Sequence, residues 1–307
     1  MRSDEKNPLS QRKDSRIPVD TGLKSFRNAV TTFRVDRLPN GVIYYGEHDS
    51  EGSFHGLGMI KKPLKKSTYL GAFSSGVYHH IGRLRTKNNR EYKGEFLMGQ
   101  KNGLGKLTED DREYLGYFSS NKRHGYGVMK DVGKGTIKKG CFNSGKLEGF
   151  GILRCDHVNY IFKGFFTDGK FNGVGEEVTE QNTYLGEFKS GERSGVGLCK
   201  KTDFVRYLGN WKFGIKEGFG MNTSENGDIF EGQYREDMIH GIGKYDHKQE
   251  RVLYTGEFLN NRRSGFGRLE SKSFIYVGDW RDNKRNGLGY QVTISDNTSY
   301  FGMFDSD

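Results

Sequence analysis

From Tyr44 onward one skeleton recurs every 22 to 25 residues: a large residue, any residue, glycine, any residue, a second large residue, then a polar stretch and a glycine-x-glycine. It is plainest in YKGEFLMGQKNGLG from Tyr92, YLGEFKSGERSGVG from Tyr184 and YTGEFLNNRRSGFG from Tyr254. The units start at Tyr44, Tyr69, Tyr92, Tyr114, Lys138, Phe162, Tyr184, Tyr207, Phe230, Tyr254, Tyr276 and Tyr300. Eleven are complete and the last stops after YFGMFDSD. A fixed period of this length marks a stack of identical small units, each dependent on its neighbours for burial. A phosphate-cradling glycine loop occurs once or twice in a chain, so a motif that returns in eleven units, ten times as glycine-x-glycine, is read as architecture.

Each unit reads as a β-hairpin. In Y-x-G-x-F the three defining residues lie two apart and share one face of a strand. Three residues after the second aromatic stands Gly76, Gly99, Asn121, Gly145, Gly169, Gly191, Gly214, Asp237, Asn261 or Asn283, types that tolerate a left-handed turn conformation. The second strand is expected to start at the glycine-x-glycine, whose middle residue is apolar in every unit. A lone hairpin with one apolar face is unstable, so the faces must stack. Glycines without a Cβ let the neighbouring ring lie flat over the backbone. The predicted fold class is all-β: an elongated, single-layer, twisted antiparallel ribbon of stacked hairpins, a solenoid-like repeat protein.

Composition agrees. Only 33% of the chain is hydrophobic, yet it holds 22 Phe and 17 Tyr, so aromatics carry most of the burial. No stretch of helical period lies inside the repeats, and the fixed period argues against reading the 45 glycines as low complexity.

At these residues the chain resembles the MORN (membrane occupation and recognition nexus) repeat family, over roughly residues 42–307. The resemblance implies single-layer antiparallel hairpin ribbons. It implies function only loosely, because members include junctophilins, plant phosphatidylinositol phosphate kinases, radial spoke head proteins and basal-complex scaffolds of protist parasites. Departures from the pattern are His48 for the second aromatic of the first unit, which also has one extra residue before its turn, His80 for a glycine in the second, and Lys138 for the leading aromatic of the fifth. Atypical terminal units are expected where a stack is capped.

Two domains are predicted: a basic, mostly disordered arm over residues 1–37 and the hairpin ribbon over residues 38–307. The arm has nine Lys or Arg against five Asp or Glu. Its end, TTFRVDRLPNG, alternates and then turns, which suits a cap strand. No apolar signal region and no run approaching eighteen apolar residues is present, so the expected location is intracellular, in cytoplasm or cytoskeleton (cilium, flagellum or basal body among them), with membrane contact at most peripheral.

Catalytic chemistry is not expected. Cys141, Cys155 and Cys199 fit neither a zinc knuckle nor a disulfide framework. His55, His79, His124 and His240 share the slot before glycine-x-glycine with Asn102, Asn172, Asn286, Ser194, Ser264, Glu148 and Glu217. A position that accepts all of these is a turn-closing polar site, since a metal ligand is not so interchangeable. Glu47, Glu95, Glu187, Glu257 and Asp279 face away from the aromatics and are expected to balance cross-strand cations. No cofactor or metal is called for.

Charge is what varies usefully. Just after the turn residue lie Lys101, Lys122, Arg123, Lys146, Lys170, Arg193, Lys216, Arg262, Arg263, Lys284 and Arg285. Turns project from one edge, so these cations are candidates for an acidic surface: anionic phospholipid, a tubulin tail or another acidic protein. Exposed turns kept soluble by charge would look the same, and the net charge of +10 permits either reading. Nucleic acid ranks below both, because the aromatics are committed to the packed face and no recognition helix is visible. The final half-hairpin leaves a bare sheet edge, making Tyr300, Phe301, Met303 and Phe304 candidates for homodimer pairing. The favoured function is a non-enzymatic scaffold docking proteins of a cytoskeletal or axonemal assembly, as in the radial spoke and basal-complex members. The alternative is a peripheral module that binds anionic phospholipid through the turn edge and tethers a partner.

Overall fold

The computed structural model describes residues 32–201 and 204–305. The predicted arm lies outside these except for residues 32–37, which form a strand, Thr32–Arg37, paired with Ile43–His48. The alternating TFRVDR thus caps the first repeat, and strand is already formed at Thr32, the first described residue. Among the described residues, twenty-four antiparallel strands form an open sheet, and each pairing described joins strands adjacent in sequence. Among the described residues the helical turns are two three-residue 3-10 segments, Pro39–Gly41 and Asp156–Val158. The described chain divides into two compact units, one running to Lys87 with Glu95–Gly99, the other Asn88–Gly94 with everything from Gln100 onward.

In the larger unit the hairpin from Val252–Leu259 to Arg262–Glu270 shows the rule. Both turn residues, Asn260 and Asn261, are left-handed (φ 49° and 68°), the type I′ geometry whose twist matches the flanking strands. Because this turn takes only two residues, the second strand begins at once, three residues before the glycine-x-glycine and not at it. Pairing then runs Leu259 to Arg262 and Phe258 to Arg263, and jumps to Gly256 opposite Gly267. The jump is a bulge around left-handed Gly265 (φ 77°). Because Gly267 pairs with Gly256 on the aromatic face, the alternating middle residue Phe266 lies on the face opposite the aromatics.

The glycine pair is the floor on which the tyrosine lies. A Cβ built on Gly267 would sit 2.3 Å from the Tyr254 hydroxyl oxygen, and one on Gly256 would meet the Gly267 Cα at 2.5 Å. The same hydroxyl donates to the Glu257 carbonyl at 3.0 Å, so the buried O–H is satisfied within its own strand. Tyr114, Tyr184, Tyr207 and Tyr276 repeat this bond to the third residue onward. Second aromatics wedge edge-on between consecutive leading rings: Phe118 is 5.0 Å from Tyr92 and 5.1 Å from Tyr114, and Trp280 is 5.2 Å from Tyr254 and 5.3 Å from Tyr276. Edge-to-face rings at this spacing add attraction beyond buried area. In the fifth repeat, where Lys138 replaces the ring, buried Leu147 reaches over Gly140 and Phe166 over Gly151.

The smaller unit keeps the grammar with two departures. His48 is fully buried edge-on to Tyr44, and its Nε2 meets the Asp36 carboxylate at 2.8 Å, tying the cap strand to the first hairpin. His80 occupies a bulge position that is glycine in every other complete repeat, and takes a left-handed φ of 49°.

Candidate interaction surfaces

The cations after the turns separate by strand parity. Lys122, Lys146, Lys170, Arg262 and Lys284, first after their turns, are exposed. Lys101, Arg123, Arg193, Lys216, Arg263 and Arg285, one residue later, lie over rings on the aromatic face. Arg193 is 4.7 Å from the Tyr184 centroid, Lys216 4.8 Å from Tyr207, Lys101 5.1 Å from Tyr92 and Arg263 4.5 Å from Trp280. The same slot holds Phe54, Tyr78 and Phe171, stacked face to face on Tyr44, Tyr69 and Phe162 at 3.7 to 3.8 Å. A cation over the ring face is the polar substitute for that stack. Burial lowers the pKa of Lys101, Lys216 and Arg263. Of the exposed set, Lys146 pairs with Asp168 and Arg262 with Asp282 in the next turn.

Turns also stack on their neighbours. The amide of the second turn residue donates to the backbone carbonyl of the preceding repeat's ring-covering residue, as Asn283 to Arg263 at 3.0 Å and Gly214 to Arg193 at 2.9 Å. Where that turn residue is Asn or Asp, its side chain accepts the return amide: Asn121 from Lys101, Asp237 from Lys216, Asn261 from Ile239 and Asn283 from Arg263. The polar slot before glycine-x-glycine caps the other turn residue, Glu148 accepting from the Asp168 amide and Glu217 from the Glu236 amide. In the smaller unit His79 faces the Met98 amide at 3.5 Å, and burial with the adjacent His80 lowers its pKa. The acidic residues after the first glycine serve the bulge: Glu257 accepts the Phe266 amide at 3.0 Å and Asp279 the Leu288 amide at 3.1 Å. For Glu187, Glu257 and Asp279 the partners are backbone amides freed where the register jumps, in place of the expected cations.

The opposite face carries the feature that sequence reasoning missed. All eleven glycine-x-glycine middle residues, from Leu57 to Leu288, are 48 to 73% exposed, whereas the ten leading aromatics from Tyr44 to Tyr276 are at most 2% exposed. Leu115, Tyr117, Phe165, Leu185 and Leu208 are exposed on that second face. Cross-strand register sets Leu104 opposite Tyr117, Leu115 opposite Val128 and Phe150 opposite Phe165. The last strand, Ser299–Phe304, is described pairing on one side only. There Tyr300, Phe301 and Met303 are exposed, and Phe304 is buried against Tyr276. A pocket of about 480 Å³ over Trp211 and Lys216 is lined mostly by polar groups. Among the described residues no group of three or more His, Cys, Asp or Glu could hold a metal ion, and no helix is long and apolar enough to cross a membrane.

The MORN repeat family model matches nine segments, residues 92–108, 114–136, 139–156, 162–180, 184–204, 207–229, 230–248, 254–273 and 276–292, together more than half of the chain. The protein belongs to the MORN repeat family, a non-enzymatic repeat module found in scaffolds and membrane-associated proteins. The hairpins that begin at Tyr44 and Tyr69 and the strand at Tyr300 lie outside the matched segments. No curated protein matches the chain.

Proposed function

We propose that this protein is a structural scaffold that docks other proteins of a cytoskeletal, ciliary or axonemal assembly, without catalysis of its own. The observation that carries the reading is the exposed apolar row on the face opposite the aromatics. That row adds nothing to the ring stack, and contiguous exposed apolar surface of this kind marks interaction sites. The last described strand, Ser299–Phe304, for which pairing is described on one side only, supports self-association as well. Pairing two copies about Gly302 would set glycine against glycine, the floor on which every interior leading tyrosine lies. Deleting residues 300–307 is expected to lower the mass in solution, and an unchanged mass would remove that element.

A second reading, peripheral contact with anionic phospholipid, draws on the exposed turn cations Lys122, Lys170 and Lys284. Detergent extraction of a tagged copy in its native cell separates the two. The scaffold reading expects a signal that survives extraction, is lost in Tyr126→Ser/Phe150→Ser/Phe165→Ser, and persists in Lys122→Glu/Lys170→Glu/Lys284→Glu. A signal released by detergent and abolished by the charge reversal would favour lipid.

A further inference from the structure

We infer that the exposed face of the larger unit, between Leu104 and Phe165, is a seat for an acidic-flanked amphipathic α-helix lying across the strands; this rests on the scaffold reading and names the partner's chemistry. Three observations meet there. The first is saturation of the backbone. Every strand from Gln100–Glu109 to Tyr160–Thr167 is paired on both sides or lies beside its sequence neighbour in the sheet, so this face offers side chains only. An extended peptide would bring unsatisfied amides to such a surface, whereas a helix satisfies its own.

The second is spacing. Leu104, Tyr126 and Phe150, exposed at 48, 51 and 59%, stand on alternate strands. Alternate strands are about 9.5 Å apart. Seven residues of helix rise about 10.5 Å, and a helix inclined by about 25° to the row projects that rise onto about 9.5 Å. A heptad of apolar residues therefore keeps step with one repeat per heptad. Tyr117 and Phe165, opposite Leu104 and Phe150, supply the second wall of the seat.

The third is charge. Lys130 and Lys139 border the row, are exposed, and form no ion pair with a described residue. Lys139 stands opposite Val128, one same-face step from the Tyr126–Cys141 pair, and Lys130 stands one step further along the same face, opposite Glu113 and Ile137. Such a border disfavours a second copy of the same face, which would bring lysine to lysine, and favours a helix flanked by Glu or Asp.

The test uses the full chain and synthetic helices of about four heptads, with leucine at the two seam positions and glutamate flanking. Fluorescence anisotropy compares this peptide with an isomer whose leucines are scrambled out of register and with a version flanked by lysine. The expected result is saturable binding by the first and at least tenfold weaker binding by both others. Tyr126→Ser/Phe150→Ser should weaken the first at least tenfold with the thermal melt unchanged. Lys139→Glu, at an exposed position, should weaken the glutamate peptide and strengthen the lysine one with the thermal melt unchanged. Equal affinity for the scrambled peptide, no binding by the heptad peptide, or indifference to the variants would overturn the inference. Self-association that Tyr126→Ser/Phe150→Ser abolishes would also overturn it, making the occupant a second copy. If the peptide fails while the extraction-resistant signal still depends on this face, the helix is wrong and the scaffold stands. If both fail, so does the scaffold.

Discussion

At the residue scale the fold depends on paired glycines more than on any side chain. At Gly267 the Tyr254 ring occupies the place a Cβ would take, and the ring is held by its own hydrogen bond and by flanking Phe258 and Trp280. Gly267→Ala is therefore expected to cost at least about 2 kcal/mol, measured by denaturant unfolding. Gly214→Ala meets open space but a left-handed φ of 81°, and should cost only about 1 kcal/mol. Burial pushes the hydroxyls of Tyr44, Tyr114, Tyr184 and Tyr207 up to about 12. An acid whose pKa rises on folding stabilises the fold fully below its unfolded value, about 10, and loses that contribution as pH climbs through the folded value. In a chain whose exposed tyrosines are replaced by Phe, absorbance of these ionised tyrosines should therefore rise together with loss of β-sheet circular dichroism between about pH 10 and 12. Titration of these four hydroxyls near pH 10 with the sheet intact, in a chain whose exposed tyrosines are replaced by Phe, would contradict the packing described.

At the element scale the working unit is a two-residue turn followed by a bulge. Asn283 satisfies the unit twice, by its left-handed backbone and by accepting the Arg263 amide at 2.8 Å. Asn283→Ala should cost about 2 kcal/mol and Asn283→Gly about half that. His80 pays the opposite way, holding a bulge conformation that suits glycine, so His80→Gly should raise stability by up to about 1 kcal/mol in the same unfolding assay. Much of this was legible in the sequence, because the Gly, Asn and Asp turn residues recur at one offset. The ring-covering role of Lys101, Arg193 and Lys216 was not legible from charge, which suggested projecting turns. Parity held the clue: the same slot carries Phe54, Tyr78, Leu147, Phe171 and Ile239, apolar residues that belong on a packed face. Likewise the apolar glycine-x-glycine middles read as core until glycine is paired with glycine across the hairpin, which turns them outward.

At the scale of the molecule, packing is assigned to one face of the strands, and the proposed function assigns recognition to the other. Rings, glycines and half of the turn cations hold the aromatic face, and the exposed apolar row is left available for partners. Repetition makes that row multivalent, with one site per hairpin, which suits a scaffold that gains avidity from several weak contacts. The most direct measurement is quantitative proximity labelling in the native cell, comparing the wild-type chain with Tyr126→Ser/Phe150→Ser/Phe165→Ser after equal melting temperatures have been verified. The account expects the variant to remain folded and to lose most of the wild-type protein neighbours. An unchanged set of neighbours around a folded variant would contradict it.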